Sequence, residues 1–118
     1  HYSKKQYREA LRLLLAVEFT DVYYHLDSKS LLLRIYYEME DWEPLISLFN
    51  TFKIYLKRNK LISEYQRSTY TNLVKFVRKL TRIKMGSKSP LQKVKDEINE
   101  VKQIADLTWL QSKVEELN

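Results

Sequence analysis

A phrase that occurs twice, 35 residues apart, limits what this chain can fold into. Tyr7, Ala10, Leu14 and Val17 are answered by Trp42, Leu45, Phe49 and Phe52. In each copy an aromatic residue is followed by apolar residues at intervals that fall on one stripe of an α-helix. Recurrence at such a period is the signature of helical hairpins stacked side by side.

Composition points the same way. One Gly and two Pro in 118 residues leave little of what sheets and tight turns require. Long helices joined by short polar corners are expected, in one domain over residues 1–118. The absence of Cys excludes disulfides and thiolate metal sites. No apolar run approaches the ~18 residues of a membrane span. The chain starts at His1 without an initiator Met. It therefore reads as the C-terminal piece of a longer protein, cytoplasmic, with any targeting segment upstream.

Six helices are expected. The first covers about 3–17, with Ser3 as N-cap and Tyr7, Ala10, Leu11, Leu14 and Val17 as its apolar stripe. Phe19-Thr20-Asp21 is a corner in which Thr20 or Asp21 caps the second helix, about 21–39. A later start at Asp27 or Ser28 stays open, because Asp27-Ser28-Lys29-Ser30 is locally turn-like. The centre of that helix, residues 31–37, is apolar on nearly every side, which requires neighbours on both flanks.

Asp41 caps the third helix, about 42–58, with Pro44 in its first turn and Lys57 and Arg58 at its C-terminus. Leu45, Ile46, Phe49, Phe52 and Leu56 face inward. Ser63 caps a fourth helix, about 63–84, buried along Tyr65, Thr69, Tyr70, Leu73, Phe76, Val77, Leu80 and Ile83. Residues 85–89, with the lone Gly86, form a linker. Ser89 and Pro90 then open a fifth helix, about 90–104, with apolar Leu91, Val94, Ile98, Val101 and Ile104. Asp106 caps a short sixth helix carrying Trp109, Leu110, Val114 and Leu117. This last pair, residues 90–118, suits the polar-faced cap of a helical stack.

Tyr7-Arg8-Glu9-Ala10-Leu11 and Glu40-Asp41-Trp42-Glu43-Pro44-Leu45 resemble the corner and second-helix start of the tetratricopeptide (TPR) repeat. The resemblance covers residues 3–84 and implies a short right-handed solenoid of antiparallel hairpins. Leu32, Leu33 and Tyr36 then match the family's packing positions in the first helix. Glu40 stands where the family has Gly, Leu45 where it has a small residue, and the period is 35 rather than about 34. The closing Trp109-Leu110 helix is similar to the C-terminal ends of bacterial helical-repeat proteins. In the family, the first helix of each hairpin lines a peptide groove. The resemblance thus implies a groove of Asp27, Ser30, Arg34, Tyr37 and Glu38, continued by Ile62, Tyr65, Thr69 and Asn72.

Chemistry finds little support in the sequence. His25 is the one histidine besides His1, and no paired-His spacing exists for a metal. A single Gly excludes phosphate-cradling glycine loops and a nucleophile elbow. Glu38, Glu40, Asp41 and Glu43 cluster, but at a helix junction where carboxylates suit an N-terminus. No catalytic residue, cofactor or metal is expected.

Charge is unevenly placed. Residues 51–88 carry eleven Lys/Arg and one acid, Glu64, and give the protein its net charge of +6. Arg67, Lys75, Arg78 and Arg82 form a stripe on the fourth helix, with Lys53, Lys57, Arg58, Lys60 and Lys79 nearby. Two functions follow from this pattern. The first is a non-enzymatic module that docks a protein or peptide. The second is a basic helical domain that binds nucleic acid through the Arg67, Lys75, Arg78 and Arg82 stripe. With Tyr65, Tyr70 and Phe76 assigned to the buried side, the second lacks the stacking platform of a single-strand binder.

Overall fold

Side-chain caps at Ser3 and Ser63 set two helix starts in the computed structural model, which describes residues 3–16, 22–86, 90–101 and 103–117. These residues form six helices and no strand: α1 (Lys4–Ala16), α2 (Val22–Met39), α3 (Trp42–Arg58), α4 (Glu64–Lys84), α5 (Leu91–Val101) and α6 (Leu107–Glu116). The chain divides into two compact units, residues 1–52 and 53–118. The expected Phe19-Thr20-Asp21 corner, Val17 and the Ser89 cap lie outside the described residues.

In the first unit, α1 opens with a reciprocal capping box. The Gln6 amide donates to Ser3 Oγ (3.3 Å), and the Ser3 amide donates to Gln6 Oε1 (2.9 Å). α1 packs on α2. α2 runs unbroken through residues 27–30, so the later start is not used. The Ser28 and Ser30 hydroxyls donate to the carbonyls of His25 and Asp27 one turn back, so these serines fit the helix without a turn. Leu26, Ser30, Leu33 and Tyr37 are buried along one face, and Ile35 is buried on the opposite one. That accounts for the apolar character all round this helix.

The α2–α3 corner closes by a two-bond motif. The Glu40 amide donates to the Tyr37 carbonyl (3.1 Å) and the Asp41 amide to the Tyr36 carbonyl (3.0 Å). The motif needs a left-handed residue, and Glu40 supplies it at φ 55°. A side chain in that region costs about 1–2 kcal/mol. Glycine would avoid this cost but has more freedom to lose on folding, about 0.5–1 kcal/mol. The Glu40→Gly variant is therefore expected to be more stable by roughly 0.5–1 kcal/mol. A thermal melt checks this, and a Tm below that of the parent would show that the glutamate side chain holds the corner.

Leu45, Leu48, Phe49, Phe52 and Leu56 form the buried face of α3. Ile46 is 43% exposed, against expectation. The i, i+3, i+4, i+7 series starting at Leu45 takes Leu48 and leaves Ile46 about a quarter-turn away.

In the second unit, α4 packs against α5 and α6, which also pack on each other. Ser63 caps α4 as expected, its Oγ accepting from the Gln66 amide at 3.1 Å. Leu73, Val74, Phe76, Val77, Leu80 and Thr81 are buried on α4, with Val94, Ile98, Ile104, Leu110 and Val114 contributed by the C-terminal residues. Tyr65 is 63% exposed rather than buried, because it sits in the first turn of α4, ahead of the covered stretch. α4 ends in a turn at Met85 and Gly86, the latter at φ 101°.

α5 stops at Val101, which is exposed, instead of continuing to residue 104. The chain leaves the helix to bond along α4. The Ala105 amide donates to the Thr69 carbonyl (3.1 Å), and Asn72 Nδ2 donates to the Gln103 carbonyl (3.0 Å). Ile104 is buried from this non-helical stretch. Asp106 occupies the N-cap position of α6, but in a left-handed conformation and without a side-chain capping bond.

Candidate anion-binding cleft

Helical spacing brings the basic residues of α4 together. Lys75, Arg78, Lys79 and Arg82 follow i, i+3, i+4, i+7 and therefore project from one side over two turns. With Lys53 of α3 they line a cleft of about 320 Å³ whose lining includes no acidic residue. Leu56 and Val74 give it an apolar floor. Like charges at these spacings repel by about 0.2–0.5 kcal/mol per pair, so this face works against the helix that carries it.

Two features hold the cations. The ring of buried Phe76 lies 5.3 Å from Lys75 Nζ and 5.7 Å from Lys79 Nζ, within cation–π range. Glu97 of α5 accepts from Lys79 Nζ at 3.0 Å. The Lys79 hydrogen bond holds the Glu97 carboxyl below the ordinary carboxylate range. Partial desolvation opposes this shift, and the charges of Lys79, Lys75 and Lys93 reinforce it. Lys79 and Arg82 also form one wall of a neighbouring hollow of about 170 Å³ that includes Glu97 and Lys93.

Arg67, the expected start of the basic stripe, does something else. Its Nη2 donates to the Asn59 carbonyl (3.0 Å) and the Ile62 carbonyl (3.2 Å), and its Nε donates to Glu64 Oε1 (3.2 Å). It fastens the α3–α4 corner. Lys57 is exposed on α3 and lies outside the cleft lining. Lys79, off the edge of the expected stripe, belongs to the cleft. The run of i, i+3, i+4, i+7 cations was the signal for it.

The residues of the expected groove fall into two sets, one in each unit. On α2, Ser30 and Tyr37 are buried, with Tyr37 edge-on to Trp42 at 6.1 Å. Asp27 is exposed, while Arg34 and Glu38 are half-buried. On α4, Tyr65 is exposed and Ile62 just ahead of it is buried. Asn72 and the Thr69 carbonyl are occupied by residues 103 and 105.

Among the described residues no cluster of three or more His, Cys, Asp or Glu is placed to hold a metal ion. No helix among them is long and apolar enough to cross a membrane. The chain matches no protein-family model, no curated protein and no solved structure.

Proposed function

We propose that the chain is a non-enzymatic interaction module, the C-terminal end of a TPR-like stack of helical hairpins, that docks an acidic segment of a partner protein in the cleft of its second unit. The observation that carries this is the convergence of Lys53, Lys75, Arg78, Lys79 and Arg82 on one cleft with an apolar floor. Such a site favours a peptide presenting negative charge beside an apolar side chain. The repeat reading is supported by the helical state of the described residues of both copies of the aromatic phrase, Tyr7, Ala10 and Leu14 in α1 and Trp42, Leu45, Phe49 and Phe52 in α3. The left-handed Glu40 also stands where the family's corner glycine would be. The groove residues contribute less, since Ser30 and Tyr37 offer a partner little surface.

The nucleic-acid reading gains an exposed ring in Tyr65 but loses Arg67 from its stripe. Fluorescence anisotropy separates the two readings. A labelled peptide alternating glutamate with leucine is expected to bind, and Arg78→Glu with Arg82→Glu to abolish binding without lowering the Tm. Binding of single-stranded oligothymidylate alone, weakening steeply with salt, would favour nucleic acid.

A further inference from the structure

Resting on the acidic-docking reading, we infer that the group the cleft selects is a phosphoryl group on the partner segment, a phosphorylated serine or threonine rather than a row of carboxylates. The inference comes from charge density. Five cations line about 320 Å³, and four of them lie on two successive turns of one helix. Those turns span only about 11 Å along the axis, at the 1.5 Å rise of each residue.

A peptide carboxylate brings one charge and a planar pair of oxygens. A phosphoryl monoester brings a charge of about −1.5 to −2 and three acceptor oxygens on one atom. Arg78 and Arg82, one turn apart, offer planar forks that match such oxygens, and the Lys75 and Lys79 ammonium groups add charge beside them. Lys53 approaches from α3. The floor of Leu56 and Val74 would take the carbon stem of the modified residue or an apolar neighbour.

One member of the cluster, Lys79, already holds an anion, the chain's own Glu97, from the neighbouring hollow. Its carboxylate sits 3.0 Å from Lys79 Nζ, and that hydrogen bond, reinforced by the charges of Lys79, Lys75 and Lys93, holds its pKa below the usual carboxylate range. The lining of the cleft itself includes no acidic residue, and Glu97 belongs to the neighbouring hollow. A strand of nucleic acid fits less well, since Arg67 is committed to the corner and Lys75, Arg78, Lys79 and Arg82 gather on one cleft.

The test uses the whole chain and three fluorescent pools of degenerate nonapeptides, alike except for a central phosphoserine, aspartate or serine. At physiological ionic strength the phosphoserine pool is expected to bind about 10-fold tighter than the aspartate pool. Arg78→Gln or Arg82→Gln should each remove most of that preference while circular dichroism and Tm stay unchanged. Equal affinity for the phosphoserine and aspartate pools would overturn the phosphoryl inference and leave acidic docking standing. Binding of no pool would overturn both. So would oligothymidylate that outcompetes every pool, with affinity rising with its length, or self-association of the chain that the cleft variants abolish.

Discussion

Replacing Phe76 by alanine is expected to destabilise the second unit by about 3–5 kcal/mol, the range for emptying a buried aromatic site. Phe76 is fully buried at the centre of the covered face of α4, with Leu73, Val77 and Leu80 on adjacent turns. Its ring also lies within cation–π range of Lys75 and Lys79, so truncation leaves the basic face with less to offset its repulsion. Phe76→Leu separates these roles. It keeps most of the packed volume and should cost under about 1.5 kcal/mol, while losing the cation–π contribution. The chain has two tryptophans, Trp42 in the first unit and Trp109 in the second, so a Trp42→Phe background lets Trp109 report on the second unit alone. A loss below about 1 kcal/mol for Phe76→Ala in chemical denaturation would mean that this face of α4 is not the core of its unit.

Arg67→Met is the second large effect, with an expected loss of about 2–3 kcal/mol in the same denaturation assay, since hydrogen bonds from a charged donor contribute about 1.5–3 kcal/mol each. The figure is held near the value for one such bond for two reasons. Arg67 Nη1 is buried without a partner, and the bond to Glu64 is made to a side chain that is largely in solvent. The two carbonyl bonds matter most. The Asn59 carbonyl lies just past the end of α3, the Ile62 carbonyl belongs to the turn before α4, and Arg67 ties both to the helix that follows. Methionine preserves much of the stem volume and removes the donors. Arg82→Met, on the cleft face of the same helix, serves as the control. If the two variants lose equal stability, Arg67 is an ordinary surface cation and the corner is held by its backbone.

The elements most legible in the sequence were those whose ends are written in local chemistry. Ser3 and Ser63 set two helix starts, because a cap acts within one turn, and α3 begins at Trp42 as the Asp41–Pro44 corner led one to expect. Tertiary contacts overrode the pattern elsewhere. Periodicity cannot show that residues 103–105 leave α5 to bond along α4, since that choice depends on a carbonyl and an amide of a helix some thirty residues earlier. Tyr65 has the spacing of a buried residue, but spacing does not reveal where along α4 its neighbours begin. The cleft was half visible. Helical spacing gathers the α4 cations, whereas the approach of Lys53 and Leu56 from α3 is a matter of packing. Arg67 shares the charge and the stripe of its neighbours, and only the reach of its side chain back to Asn59 and Ile62 sets it apart.

The bond between Asn72 and residue 103 also bears on how the chain tolerates change. Gln103 contributes a carbonyl, an atom every amino acid carries, and its side chain is exposed, so this position can drift through many identities and still be gripped. Asn72 contributes a side-chain amide of fixed length, which few substitutes can imitate. Divergence across this join should therefore be lopsided, with the burden of upkeep resting on the helix and the freedom to vary on the strand of chain it holds.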